Sequence, residues 1–276
     1  KVYVLLDAYG SATLPDSFVQ DFIHHGISIR FFSPLFSLNN FYLGRRMHHK
    51  VLVVDGKMAV IGGINIANKY RGIQELEPWL DFAVQLDCPA AEDLQKLCRD
   101  YFLKKGSSKK IKPVLHSAGS ALVGIIQNDW LKNKTEVCDA YTNAILRAKK
   151  EIVIIGSYFL PGKKMSKALK KASKRGVKIT LILAGISDVP LVRRATEHLY
   201  TTFLHDHIKI YEWNKSVLHG KAAIVDNQWS TIGSFNLNSL SCYGSIEMNV
   251  EIHSSGFAEA LRLDFNRVIN ECREVT

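Results

Sequence analysis

Apolar runs alternate with amphipathic stretches along the second half of the chain. Residues 151–155 and 177–183 are rich in Ile, Val and Leu and predict buried strands. Between them, residues 163–175 repeat apolar positions at helical spacing and stop at Gly176, which is typical of a helix C-cap. Further strands are predicted over 208–211, 217–225 and 229–233, and further helices over 190–204 and 257–271. This order indicates βαβ units and an α/β fold whose mixed sheet is flanked by helices.

The first half of the chain repeats part of this order. Residues 2–6 and 27–31 predict strands, and residues 15–25 predict the helix between them. The strand and helix of residues 151–175 have no counterpart, so we expect the natural protein to carry at least ~30 further residues upstream, the length of one βα unit. The predicted domains are a first repeat over 1–102, a Lys-, Ser- and Gly-rich linker over 103–125 and a second repeat over 126–276, which opens with a helical stretch over 130–150.

One sequence pattern occurs in both halves and reads H-x-K-x4-D-x6-G-[G/S]-x-N. Its first copy consists of His48, Lys50, Asp55, Gly62, Gly63 and Asn65, and its second copy of His219, Lys221, Asp226, Gly233, Ser234 and Asn236. A single His-x-Lys is common by chance, whereas the whole pattern at matching places in two repeats is specific. The doubled pattern therefore indicates chemistry rather than packing.

The His-x-Lys pairs suit phosphodiester cleavage. On a strand, residues i and i+2 share a face, so His48 lies beside Lys50 and His219 beside Lys221. If the two copies meet across a pseudo-twofold axis, one neutral histidine can attack phosphorus while the other, protonated, donates to the leaving oxygen. The two lysines can bind the non-bridging oxygens. Because the lysines supply the positive charge, we expect neither a metal nor a cofactor.

Other residues of the repeats are predicted to support these groups. Asn65 and Asn236 can donate hydrogen bonds to the same phosphoryl oxygens, Gly63 allows close approach of the backbone, and Ser234 supplies a hydroxyl.

Four carboxylates complete the candidate catalytic set. Asp81 and Glu247 lie in strand-like stretches after the two motifs and are predicted to hold the histidine nitrogens that do not react. Asp55 and Asp226 are five residues beyond the motif lysines. On a regular strand they point to the opposite face, which favours a role in a turn or in supporting the other half.

Composition narrows the class of protein and its partners. The chain has 276 residues, 47% of them hydrophobic, and a formal net charge of +10, which favours anionic partners such as lipid or nucleic acid. Its five cysteines include no C-x-x-C pair, so we expect buried free thiols rather than a disulfide framework or a zinc site. No apolar run is long enough for a transmembrane helix.

The doubled motif resembles the signature of the phospholipase D superfamily. Within it, the chain is most similar to bacterial cardiolipin synthases in the stretches 62–67, 157–162 and 218–221. The resemblance implies two α/β repeats around one active site and a phosphohistidine intermediate. It also implies His48 as the nucleophile and His219 as the acid, although the symmetry of the motifs leaves the reverse assignment open.

The implied reaction is phosphatidyl transfer between two phosphatidylglycerol molecules with release of glycerol. We expect a peripheral enzyme on the cytoplasmic side of the bacterial cytoplasmic membrane. Transfer needs a partly dehydrated entrance, and the predicted lining is Phe31, Phe32, Leu35, Phe36, Phe41, Tyr42 and Leu43, with Tyr158, Phe159 and Leu160. A phospholipase D hydrolase, a metal-independent nuclease on the same scaffold and a catalytically silent binding module stay open as alternatives.

Overall fold

The computed structural model describes residues 1–32, 46–72, 77–104, 114–129, 132 and 134–276. The strands are β1 (Tyr3–Asp7), β2 (Ser28–Phe32), β3 (Arg46–Met47), β4 (Val51–Val54), β5 (Met58–Gly62), β6 (Ala83–Leu86), β7 (Leu115–Ala118), β8 (Ala121–Asp129), β9 (Lys134–Thr135), β10 (Glu151–Gly156), β11 (Lys178–Ile186), β12 (Lys209–Val217), β13 (Lys221–Val225), β14 (Trp229–Gly233), β15 (Ser245–His253) and β16 (Arg273–Val275). The helices are α1 (Asp16–His24), α2 (Ala90–Phe102), α3 (Glu136–Arg147), α4 (Lys163–Lys174), α5 (Pro190–Glu197), α6 (Tyr200–His205), α7 (Ser239–Tyr243) and α8 (Ser255–Ile269).

A large mixed sheet runs through the second half, in the order β16-β12-β11-β10-β13-β14-β15-β8-β7. Strands β10, β11 and β12 are parallel to one another, whereas β13, β14, β15 and β8 follow in antiparallel succession. In the first half, β1 and β2 pair in parallel and β4, β5 and β6 form an antiparallel sheet. The α/β fold class with mixed sheets and flanking helices is therefore confirmed.

Both faces of the large sheet are buried, which explains the continuous apolar runs of its central strands. One face packs against α3, α4 and α6 through residues such as Tyr141, Leu169 and Phe203. The other face packs against α2 and α8 and against Ala59 and Ile61 of the small β4-β5-β6 sheet. The two repeats are thus joined through one shared apolar layer.

Strand direction places many chain segments at one edge of the large sheet. Strands β10, β11 and β14 run in the same direction and end at Gly156, Ile186 and Gly233. Strands β13 and β15 run the opposite way and begin at that edge, where Lys221 pairs with Gly156. Glu247 lies in the third position of β15, at the same edge. We call this edge the site edge.

Several predicted elements differ from those observed. The helix expected over 190–204 is two helices, because Leu199 N–H donates to the carbonyl of Thr196, three residues back, and tightens the chain between them. The linker expected over 103–125 contains β7 and the start of β8, joined at Gly119 with φ +62°. Of the helix expected over 130–150, the described residues form α3, which follows the short strand β9.

The cysteine prediction was wrong for two residues. Cys138 of α3 and Cys242 of α7 form a disulfide with a Cα–Cα distance of 6.3 Å. They are 104 residues apart in sequence, so no local spacing identifies them. Cys88, Cys98 and Cys272 are free thiols.

Candidate active site

The two motif histidines lie on segments that dock across the repeats. His48 N–H donates to the carbonyl of Ile246 at 2.9 Å, and His219 N–H donates to the carbonyl of Leu80 at 2.8 Å. Each acceptor immediately precedes a candidate carboxylate, Glu247 or Asp81. Both histidines lie just before their strands, β4 and β13, and not within them as the sequence predicted. The backbone of each histidine is therefore held by the other repeat.

The side chains repeat this crossed arrangement. His48 Nδ1 lies 2.9 Å from Glu247 Oε2 and 3.1 Å from the carbonyl oxygen of Ser234. His219 Nδ1 lies 2.7 Å from Asp81 Oδ2 and 3.1 Å from the hydroxyl of Tyr70. In both cases Nδ1 is occupied and Nε2 is the nitrogen left to react. The sequence places both carboxylates near histidines, but only the structure shows that each pairs with the histidine of the other repeat.

The two motif lysines lie beside the histidines, Lys221 fully buried and Lys50 partly buried. Lys50 Nζ donates to the carbonyl of His48 at 2.9 Å, and Lys221 Nζ donates to the carbonyl of His219. Burial lowers the pKa of Lys50 to about 8 and that of Lys221 to about 7, since water no longer solvates the ammonium group. A buried lysine poised near neutral pH gains from a bound anion that replaces the lost solvation.

The histidines and lysines of both motifs act on one another electrostatically. Burial lowers the pKa of His219, and the charges of Lys221, Lys50 and His48 lower it further. Burial also lowers the pKa of His48, although Glu247 opposes this shift. Without substrate, both imidazoles are therefore biased towards the neutral, nucleophilic form. The negative charge of a bound phosphodiester opposes this shift and favours a proton on the histidine that acts as the acid. Lys50 and His48 come from the first repeat and Lys221 from the second, so the pKa of His219 depends on charges of both motifs.

The two carboxylates differ in their surroundings. Burial alone would raise the pKa of Glu247, but His48 and the hydroxyl of Ser234 hold it below its ordinary value. Ser234 Oγ donates to Glu247 Oε2 at 2.6 Å, and Ser241 Oγ donates to Oε1 at 2.8 Å. Asp81 has fewer donors, and burial raises its pKa to about 6. Glu247 is thus fixed as an anion, whereas Asp81 titrates in mildly acidic solution.

The two candidate asparagines lie at the site with different partners. Asn65 Nδ2 donates to the Tyr70 hydroxyl at 3.1 Å, and that hydroxyl also contacts His219. Asn236 Oδ1 accepts a hydrogen bond from Ser157 Oγ at 2.9 Å, which leaves its amide group as the end that can donate.

Other side chains at the site were not identified from the sequence. The rings of Tyr70 and Trp79 lie 6.0 and 5.7 Å from that of His219. Ser241 contacts Glu247, and Asp188 accepts a hydrogen bond from Tyr158. No local pattern marks them, because they act only through contacts made by the fold.

The candidate substrate-binding residues divide into two groups. The ring of Tyr158 lies 6.1 Å from that of His219 and 6.0 Å from Lys221 Nζ, so Tyr158 is at the site. Phe159 is fully buried and packs against Phe203 in the core, so the prediction that it contacts substrate was wrong. Gly63 has no room for a side chain, because a Cβ there would lie 2.3 Å from Asp81 Oδ1.

The remaining predictions concern turns and the loop before the first motif. Asp55 and Asp226 adopt positive φ in the turns that follow β4 and β13, at the ends of these strands away from the motif lysines. Asp226 accepts hydrogen bonds from the backbone of Lys149, Lys150 and Glu151. Both aspartates belong to the fold and not to the reactive groups. Of the predicted entrance lining, Leu35, Phe36, Phe41, Tyr42 and Leu43 lie outside the described residues.

An open groove of about 360 Å³ extends from the His219 side of the site. Its walls include Tyr70, Trp79, Asp81 and Trp213, and its far end carries the Lys215–Glu271 ion pair. In the part of the chain that the structure describes, no group of His, Cys, Asp or Glu is arranged to hold a metal ion. Among the same residues, no helix is both long and apolar enough to cross a bilayer.

Two α/β repeats that share crossed His–Lys–carboxylate groups define a phospholipase D-type enzyme for phosphodiester transfer. The fold is similar to that of a phosphatidylserine synthase of Haemophilus influenzae, with a TM-score of 0.78, 15% identity and coverage of 100% of this chain and 75% of that one.

Sequence comparison resolves the family. Residues 141–269 match the family model described as cardiolipin synthase, PLD-like domain. Cardiolipin synthase B of Shigella flexneri is 33% identical over 285 residues, which cover 100% of this chain and 69% of that protein. The minor cardiolipin synthase of Bacillus subtilis is 30% identical, with 93% and 65% of the two chains covered. The chain therefore belongs to the cardiolipin synthase family of the phospholipase D superfamily, and it is a phospholipid phosphatidyltransferase.

Proposed function

We propose that the enzyme makes cardiolipin from two molecules of phosphatidylglycerol through a phosphohistidine intermediate and releases glycerol. The observation that carries this proposal is the similarity to cardiolipin synthases along the whole chain. It is supported by the convergence of two His–Lys pairs on one site, each held by a carboxylate of the other repeat.

In the first step, Nε2 of one histidine attacks the phosphorus of phosphatidylglycerol. The P–N bond forms as the bond from phosphorus to the glycerol oxygen breaks, and the other histidine donates a proton to that oxygen. Lys50 and Lys221 supply positive charge for the non-bridging oxygens, where negative charge concentrates in the transition state. The amide groups of Asn65 and Asn236 add neutral hydrogen bonds to the same oxygens.

In the second step, a hydroxyl of another phosphatidylglycerol replaces the glycerol. The histidine that lost its proton accepts the hydroxyl proton, the new P–O bond forms, and the P–N bond breaks. Cardiolipin leaves, and both imidazoles return to their starting states. If water takes the place of the lipid hydroxyl, the product is phosphatidic acid, which is the hydrolase alternative.

We assign His48 as the nucleophile and His219 as the acid. Glu247, the partner of His48, is the carboxylate whose pKa is held low, and a fixed anion on Nδ1 makes Nε2 more nucleophilic. A substrate with a p-nitrophenol leaving group needs no acid. On this substrate His219→Ala should keep most of the first-turnover burst of p-nitrophenol, because only the second step still needs His219 as a base, whereas His48→Ala should lose at least about 1000-fold of the burst rate. The opposite pattern reverses the assignment.

The substrate class is tested by product analysis in EDTA. Wild-type protein is incubated with phosphatidylglycerol vesicles and, separately, with single- and double-stranded DNA. Cardiolipin and glycerol, with intact DNA, are the expected result. Phosphatidic acid in place of cardiolipin would show a hydrolase, and cleavage of DNA alone would contradict the lipid function. His253→Ala changes a half-exposed histidine at the other end of β15 and is the matched control for the two motif histidines.

We also place the enzyme at the cytoplasmic surface of the bacterial cytoplasmic membrane as a peripheral protein. The support is its anionic lipid substrate and its net charge of +10. Separation of membranes from soluble protein with and without high salt tests this location, since a peripheral basic protein is released by salt.

A further inference from the structure

Three large apolar side chains are exposed on segments that leave the site edge. Ile66 follows β5 and is fully exposed, Leu191 follows β11 and is 78% exposed, and Leu240 follows β14 and is 69% exposed. Each has an exposed apolar neighbour on its own segment, and these are Ile64, Val189 and Tyr243. We call these six residues the apolar rim. Scattered exposed leucines need no explanation, but three such pairs beside one site do.

The topology brings the three segments to one side of the molecule. Strands β11 and β14 run in the same direction in the large sheet and both end at the site edge. The segment after β5 reaches the same place, because Asn65 contacts Tyr70 and Tyr70 contacts His219.

Each segment of the apolar rim also lies close in sequence to a residue of the site. Ile66 is the next residue after Asn65. Leu191 is three residues after Asp188, which accepts the hydrogen bond of Tyr158 beside His219. Leu240 precedes Ser241, which donates to Glu247. The rim therefore adjoins the site on three segments and is not a separate patch.

Basic side chains are interleaved with the apolar rim. Lys69 and Arg71 follow Ile66, Arg194 is one helical turn after Leu191, and Lys163 begins α4 in the groove that Tyr243 also lines. In the described part of the chain these four are exposed and take part in no ion pair. Lys69 Nζ lies 3.7 Å over the ring of Trp79, a residue type that favours membrane interfaces.

We propose that the apolar rim and its basic residues form a surface that docks on an anionic phospholipid bilayer, so that the site opens directly onto the lipid headgroups. The choice of a bilayer as occupant rests on the lipid function proposed above. Apolar side chains enter the boundary between headgroups and acyl chains, while lysine and arginine meet the anionic phosphates. A substrate phosphodiester then reaches the buried lysines without leaving the membrane.

The test compares two triple variants of the full chain. The rim variant carries Ile66→Ser, Leu191→Ser and Leu240→Ser. The control carries Leu122→Ser, Leu146→Ser and Leu263→Ser, which change exposed leucines on β8, α3 and α8. Leu122 pairs with His253, at the end of β15 away from Glu247, and α3 leads into the start of β10. The substitutions to serine leave the net charge unchanged.

Binding is measured by co-sedimentation with vesicles of phosphatidylglycerol and phosphatidylcholine, and with vesicles of phosphatidylcholine alone. Wild type and control should bind the anionic vesicles, and the rim variant should bind them roughly 100-fold more weakly, from the apolar area removed. Hydrolysis of a soluble p-nitrophenyl phosphodiester should be equal in all three proteins. Equal vesicle binding by the rim variant and the control would overturn the docking surface.

The outcomes for docking and for function are distinct. Wild-type protein that makes cardiolipin in detergent micelles but ignores vesicles overturns the docking surface and leaves the function intact. Rim-dependent vesicle binding without any lipid product overturns the function and leaves the docking surface. Wild-type protein that cleaves DNA, makes no lipid product and ignores anionic vesicles overturns both.

Discussion

Replacement of Asp81 by Asn tests the crossed pairing of carboxylates and histidines. Asp81 Oδ2 lies 2.7 Å from Nδ1 of His219, the motif histidine of the other repeat. The motif histidine in the same repeat as Asp81 is His48. If the structural pairing is correct, Asp81→Asn disturbs His219 and leaves His48 unaffected. If each carboxylate paired with the histidine of its own repeat, Asp81→Asn would disturb His48 and leave His219 unaffected.

The magnitude follows from the bond that is lost. A hydrogen bond to a charged group contributes about 1.5–3 kcal/mol, whereas a neutral amide contributes less and does not stabilise an imidazolium. With each 1.36 kcal/mol equal to tenfold in rate, kcat is expected to fall roughly 10- to 150-fold. Burial raises the pKa of Asp81 to about 6, so the wild-type rate should fall below that pH as the carboxyl is protonated. The pH profile of Asp81→Asn should lack this fall in rate at acidic pH.

Two measurements check the prediction, namely kcat against pH on phospholipid and nitrogen NMR of the histidine rings. The signals of His219 should shift in Asp81→Asn, and those of His48 should shift in Glu247→Gln. Asp87→Asn is the control, since Asp87 is an exposed carboxylate that follows β6 and, among the described residues, its side chain is hydrogen-bonded to Gln85 alone. A shift of His48 in Asp81→Asn, or a kcat within twofold of wild type, would refute the crossed pairing.

Four further predictions follow from the same geometry. The affinity for sulfate, measured by calorimetry, should fall as pH rises through about 7, because burial lowers the pKa of Lys221 to about 7 and the ammonium loses its proton there. An affinity that does not change with pH would contradict this prediction. Lys221→Met should lower kcat by at least about 100-fold without lowering the thermal midpoint at pH 7, because a buried ammonium is costly; a lower midpoint would show that the ammonium stabilises the fold. Ser241→Ala should lower kcat roughly tenfold by loosening Glu247, whereas Ser239→Ala on the exposed side of α7 should not; equal effects count against a positioning role. Thiol titration of denatured, unreduced protein should detect three of five cysteines, and reduction of Cys138–Cys242 should lower the thermal midpoint; five thiols would exclude the disulfide.

The sequence was sufficient for the α/β fold class and for membership of the phospholipase D superfamily. His48, Lys50, His219 and Lys221 were identified because residue type and spacing are local properties that recur in each copy. In the second half, the strands that precede and follow the motif were also largely predicted, since an apolar run bounded by turn residues is a local signal. Strand β5 of the first half was not predicted. The two strands within residues 115–129 were not predicted from the sequence. Their hairpin lies beside a polar stretch and is defined by pairing with β15.

Only the tertiary structure decided how the groups are paired. Asp81 meets His219 and Glu247 meets His48 because each histidine segment docks on a strand of the other repeat, a contact between residues far apart in the chain. The same long-range packing buries Phe159 and brings Tyr70 and Ser241 to the site. Sequence by itself determines which reactive side chains are present, since that depends on local composition and spacing. Burial, pairing and pKa depend on what surrounds a side chain, and its surroundings exist only once the two halves have packed.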